Sequence, residues 1–249
     1  LLPDFPLNLL ERELRKIGFT KFIQSKNYEP FEVGGLRFII AASVAPTDGP
    51  LGDSGIVIDD GETRIYDQND SRPVDLDALI SFGPYDAHLL QYSGAIWYPM
   101  VYLYPEKMME ALGRKKRENE MARALRYARE IGATYVVPSA GPPCFLDDDL
   151  FHLNDFDRDP KNTFPDATVF LEYMRANDYN RGRLMIPGTA IELAQGQCET
   201  THPVPDDEVA AIFPRASETE HPAVPASAEG QGLPLAALQE IGREVGISP

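Results

Sequence analysis

Apolar positions along this chain follow two rhythms, one helical and one alternating. Leu7, Leu10, Leu14 and Ile17 recur at helical spacing, and Gly18 closes that run. Short β-branched and aromatic runs follow. They predict strands over 20–24, 31–33 and 36–44, the last two joined across Gly34-Gly35. From Asp53 to Pro73 the pattern is a strand, an Asp60-Gly61 turn and a second strand that ends in the polar cluster Asn69-Asp70-Ser71-Arg72. An Asp-Gly pair between β-branched runs signals a hairpin, because the turn needs positive φ.

The rhythm then lengthens. Asp75 caps a helix over 76–82, and 86–92 reads as a buried strand. Pro105 opens a long helix that Gly132 ends after Ile131. A strand over 134–137 and a helix over 165–177 come next, the helix with Val169, Tyr173 and Ala176 on one side. A last hairpin is expected from 183–186 and 189–193 across Pro187-Gly188. Hairpins first, then alternating helices and strands, predict an α/β or α+β unit of mixed sheets flanked by helices.

Composition narrows the possibilities. A 43% hydrophobic content supports a sizeable core in 249 residues. The net charge of -16 opposes nucleic acid and anionic membranes as partners. No apolar run approaches the roughly 20 residues of a bilayer span. Leu1-Leu2-Pro3-Asp4 lacks the basic start of a secretory signal, and its opening on Leu fits a fragment of something longer. Cys144 and Cys198 make no disulfide framework, so a reducing, cytoplasmic setting is expected. From His202 onward prolines and small residues dominate, predicting a largely disordered tail over 201–249 with one short helix over 235–245.

Asp70 lies at the end of a strand, where α/β enzymes commonly keep their chemistry. A carboxylate there suits a metal ligand; it suits equally the cap of a turn before Pro73. Asp48 and Asp53 sit in a loop broken by Pro46, Gly49, Pro50 and Gly52, able to fold over a metal or to stay solvated. His88 shares a strand face with Asp86 and Leu90, as a metal ligand or as a hydrogen-bonded core residue. Gln91 and Ser93 lie nearer that strand's end and suit a substrate pocket, with Trp97 and Tyr98 as an aromatic wall or as core. The Pro138-Ser139-Ala140-Gly141 segment follows a strand and offers rigid backbone to a ligand, or a plain connection.

Cys144 has no histidine near it in sequence, which argues against a thiolate nucleophile. Cys198 and His202 lack the second pair that zinc needs. The long helix carries Arg114-Lys115-Lys116-Arg117 and then Arg123, Arg126 and Arg129. This reversal of sign suits substrate phosphates, through Arg114 and Lys115, or ion pairing with Glu118, Glu120 and Glu130. No Gly-rich phosphate loop, Gly-x-Ser-x-Gly elbow or His-Glu-x-x-His is present.

The hairpin ending at Asp70, the stretch from Asp86 to Pro99, the long helix and the stretch from Val136 to Phe145 together resemble the second half of a metallo-β-lactamase-fold protein. The likeness covers roughly residues 1–200. It is closest to the branch of CMP-N-acetylneuraminate hydroxylase and UDP-N-acetylmuramate hydroxylase, which pair a lactamase-like domain with a Rieske iron–sulfur domain. The resemblance implies a partial metallo-β-lactamase-like sandwich, with residues 1–200 as its C-terminal part and Asp70 as the metal-binding aspartate. It implies a divalent metal, zinc or iron, held mostly by ligands outside the chain. A nucleotide sugar would be the substrate and a Rieske-type domain the redox partner. The His-x-His-x-Asp-His motif of the fold is absent and is expected before Leu1, and no Cys-x-His with Cys-x-x-His pair is present. Two expectations follow. One is part of a metal-dependent hydrolase or hydroxylase. The other is a non-catalytic ligand-binding or scaffold domain without a complete metal site, which the total of 4 histidines favours.

Overall fold

The computed structural model describes residues 2–4, 9–43, 53–94, 96–141, 145–154, 161–194 and 197–209. In chain order they form β1 (Leu2–Pro3), α1 (Leu9–Lys16), β2 (Gln24–Ser25), β3 (Phe31–Val33), β4 (Leu36–Ser43), β5 (Asp53–Asp59) and β6 (Arg64–Asn69). These are followed by α2 (Leu76–Ser81), β7 (Ala87–Gln91), α3 (Glu106–Ile131), β8 (Tyr135–Ser139), α4 (Ala167–Ala176), β9 (Ala190–Ala194) and β10 (Gln197–Thr201).

Six strands build one mixed sheet in the order β3-β4-β5-β6-β7-β8. The first four are antiparallel neighbours, and β6, β7 and β8 run parallel. The sequence dictates that change of direction. Turns and loops suffice to join β3 through β6, whereas parallel strands need crossovers, which α2 and α3 supply. The expected class, a mixed sheet flanked by helices, is the one observed. The Asp60-Gly61 signal makes a loop of residues 60–63, since Asp59 pairs with Arg64. Asp60 accepts the backbone N–H groups of Thr63 and Glu62, which hold its carboxyl below the usual range. Gly61 takes φ +94° there.

Alternation along β5 buries Gly55, Val57 and Asp59 and leaves Ser54, Ile56 and Ile58 half-exposed. On the buried side Ile39, Ala41, Val57 and Tyr66 pack against Leu79 of α2 and Ile131 of α3. Further along, Leu90 and Val136 pack against Ala124, Leu125 and Ala128 of α3 and Phe170 of α4. Each such fully buried large side chain contributes roughly 1.5–3 kcal/mol. Helices α2, α3 and α4 therefore share one face of the sheet. At one end Arg64 donates to Asp59 at 2.7 and 3.0 Å and to the Phe82 carbonyl, tying the hairpin to the last turn of α2.

Two expectations change. Residues 183–186 do not pair with 189–193. The Val136 N–H donates to the Arg181 carbonyl and the Val136 carbonyl accepts from Arg183, both within 2.9 Å, so this stretch is captured by the free edge of β8. The hairpin forms later, between β9 and β10. The strand expected over 20–24 shrinks to β2, a two-residue parallel partner of β1. Helix α1 forms as its spacing predicts but buries none of its residues. Of the expected tail, β10 ends at Thr201 and Val209 is buried. Residues 210–249, with the expected helix over 235–245, lie outside the described residues. Among the described residues no helix is long and apolar enough to cross a membrane.

Candidate functional site at the ends of the parallel strands

In open α/β sheets ligands collect beyond the carboxyl ends of the strands. Here β6, β7 and β8 end side by side at Asn69, Gln91 and Ser139. Gln91 and Ser139 are register partners, and Asp67 pairs with Leu89, two residues before Gln91. Alternation puts Asp67, Gln91 and Ser139 on the sheet face opposite the helices. Gln91 Nε2 donates to the Ala140 carbonyl at 3.0 Å, and Ala140 takes φ +52°. The Ser139 hydroxyl is buried with no hydrogen-bond partner. Buried hydroxyls normally find one; among the described residues this one does not. Ser93 is buried against Gly141, where a Cβ would lie 2.4 Å from its Oγ. The strand-end residues Gln91, Ser93 and Ser139 thus lie at neighbouring places on the strand ends.

Asp70 does not join them. Strand β6 carries a register shift between Asp67 and Asn69. Gln68 turns inward there, and Asn69 takes φ +53°. The Ser71 N–H and hydroxyl both return to the Gln68 carbonyl, at 3.1 and 2.6 Å. Asp70 is the exposed apex of that hook. The carboxylate drawn in is Asp67: half-buried, with burial pushing its carboxyl up and the Asn69 N–H at 3.0 Å pulling it back. Sequence reasoning missed it; the available signal was its place one residue after the buried Tyr66.

His88 is also separate from Asp70. It is 0% exposed on the helix-covered face, stacked on Tyr66 at 5.1 Å, with Nε2 2.9 Å from Gln68 Oε1. Gln68 Nε2 in turn donates to the Ser71 carbonyl at 3.0 Å. Burial lowers the imidazole to about 3, so it is neutral. Gln68 Oε1 can only accept, so Nε2 carries the proton, and Nδ1 has no partner. Asp48 lies outside the described residues.

Arg114 and Lys115 are exposed on α3. The residues of that helix that reach the strand-end loop are Lys116 and Glu120. A Cβ on Gly94 would lie 2.9 Å from Lys116 Cε and 3.6 Å from the Glu120 carboxyl carbon. Lys116 Nζ donates to the carbonyls of Ile96 and Tyr98, pinning the loop after β7. Burial, then the like charge of Arg72, lowers its amine to about 8. Glu120 pairs with Arg123 and sits 3.8 Å from Arg72. Three cations thus gather round one carboxylate beside the strand ends.

The donor set does not suit a divalent metal. No group of three His, Cys, Asp or Glu converges among the described residues. The strand ends offer amide, hydroxyl and backbone groups and the single carboxylate of Asp67, while His88 lies buried on the helix-covered face and Asp70 is exposed. The strand ends can bind a polar ligand through Gln91, Ser139 and Asp67 on the face opposite the helices, while Arg72 and Arg123 sit on Glu120 on the α3 side.

No protein-family model matches the chain. It is 47% identical over 248 residues to a Mycobacterium tuberculosis H37Rv protein named "Putative Rieske 2Fe-2S iron-sulfur protein", matching 97% of this chain and 47% of that protein. A Mycolicibacterium smegmatis protein of like name is 50% identical over 214 residues, which are 84% of this chain and 41% of that one. The chain therefore spans about half the length of the curated relatives it matches. Among solved structures it is similar to a metallo hydrolase of Ignicoccus hospitalis, with TM-score 0.48 and 15% identity over 81% of this chain and 68% of that one. It is also similar to the diiron β-hydroxylase CmlA of Streptomyces venezuelae, with TM-score 0.41 and 15% identity over 69% and 34% of the two chains. At these scores the structural likenesses carry no assignment.

Proposed function

We propose that this chain is the metallo-β-lactamase-like part of a longer Rieske-type protein, and that its own share of the work is to hold substrate at the ends of β6, β7 and β8. The observation that carries the reading is the convergence of Gln91, Ser93 and an unpartnered Ser139 hydroxyl on adjacent strand ends, without a converging set of metal ligands among the described residues. The relatives' names and their roughly double length support a Rieske centre elsewhere in such a polypeptide. In this reading the iron–sulfur cluster and any divalent metal, zinc or iron, belong to that remaining length. The substrate is a small molecule with hydroxyl or amide groups for Gln91 and Ser139 and negative charge for Arg72 and Arg123. A nucleotide sugar has both.

A second reading, a scaffold or ligand-binding domain with no catalytic part, is favoured by the same lack of a ligand cluster. Calorimetric titration of the EDTA-treated chain with UDP-N-acetylglucosamine addresses the first. We expect binding that is indifferent to EDTA and weakened about tenfold by Gln91→Ala or Arg72→Ala, the loss of one good hydrogen bond or ion contact. A titration that shows no binding, or binding that needs added metal, removes substrate holding from this site.

A further inference from the structure

A cavity of about 450 Å³ lies away from the strand ends, between α4, the segment captured by β8, and β10. Its size is that of a small-molecule site. Leu171 and Val209, both buried, and Leu184 give it an apolar floor. Its polar groups are mainly donors. Arg175 comes from the last turn of α4. Arg183 Cζ lies over the Tyr135 ring, 4.6 Å from its centroid, and one of its N–H groups donates to the Gly182 carbonyl. Thr200 contributes a buried hydroxyl with no partner.

His202 also lines the cavity. Its Nδ1 is 2.9 Å from Thr189 Oγ1, which already accepts the Ile186 N–H at 3.0 Å. Two acids, Glu172 and Asp206, also line the cavity, but both are exposed, and neither forms an ion pair with Arg175 or Arg183 among the described residues. Arg175 is exposed as they are, so the half-buried Arg183 is the cation that solvent screens less.

We propose that this cavity binds a carboxylate carried on an apolar body. The planar guanidinium of Arg183 matches a carboxylate's two oxygens, the carboxylate supplies the missing partner of the buried Thr200 hydroxyl, and Leu171, Leu184 and Val209 cover the apolar part. The site shares no residue with the strand-end cluster and stands independently of the function proposed above.

The test is calorimetric titration of the full chain with 3-phenylpropionate, and with 3-phenylpropionamide, which keeps the shape and loses the charge. Expected is one-to-one binding of the acid and none of the amide. Arg175→Ala and Arg183→Gln should each weaken the acid at least about tenfold, and Arg126→Ala, an exposed cation on α3, should leave it unchanged. Circular dichroism checks each variant's fold, and Arg175→Ala decides alone should Arg183→Gln not fold. No binding of the acid, equal binding of acid and amide, or affinity indifferent to Arg175→Ala overturns the proposal.

Discussion

Replacing His88 with phenylalanine should change how stability depends on pH, in a direction and size that the structure fixes. The imidazole is fully buried and lowered from 6.5 to about 3. In the unfolded chain it regains its ordinary value, so between those two values the unfolded state binds the extra proton. Native stability is therefore lost as pH falls below 6.5, and the loss continues toward 3. From pH 7 to pH 5 this one group costs about 2 kcal/mol by linkage, a figure set almost wholly by the unfolded value. His88→Phe removes that dependence. It also removes the proton donor to Gln68 Oε1, which should cost roughly 1–3 kcal/mol at pH 7. Urea unfolding followed by far-ultraviolet circular dichroism, at pH 7, 6 and 5 on both proteins, reads the difference directly. The gap between native and variant should narrow by about 2 kcal/mol on going from pH 7 to 5. Parallel pH curves for the two proteins would show that His88 is solvated or charged in the native state, and the reasoning would fail.

Other outcomes follow from single contacts. Gly113→Ala gains about 1 kcal/mol of helix propensity, but its Cβ would lie 2.8 Å from the Lys161 carbonyl oxygen. Overpacking against backbone costs about 1–3 kcal/mol, so its thermal midpoint should fall. Arg64→Met strands the Asp59 carboxylate and frees the Phe82 carbonyl; denaturant titration should read a loss of roughly 1–3 kcal/mol. Asp67→Asn keeps the acceptor for the Asn69 N–H and removes a charge that burial disfavours. Its thermal midpoint at pH 7 should exceed the native one. That advantage should shrink as pH falls and the native carboxyl takes up its proton; a lower midpoint at pH 7 would place Asp67 in a paired, stabilising role instead.

Local signals in the sequence determined the elements themselves. Asp60-Gly61 between β-branched runs made the hairpin of β5 and β6, and the Pro105 start and Gly132 stop bounded α3, because turn and cap preferences act over a few residues. The run of hairpins followed by crossovers likewise carried the mixed sheet. Tertiary structure alone decided which side chains meet. A single register shift after Asp67 turned the chain so that Asp70 is exposed, and left Asp67, still in regular register, as the half-buried carboxylate, since one extra residue in a strand reverses only the faces beyond it. The angular position of each residue on α3 put Lys116 and Glu120 at the strand-end loop and left Arg114 and Lys115 in solvent. The free edge of β8 took Arg183, at the start of the hairpin expected over 183–186 and 189–193, together with the residues just before it, because unpaired backbone groups on a strand bind whatever segment packing brings alongside.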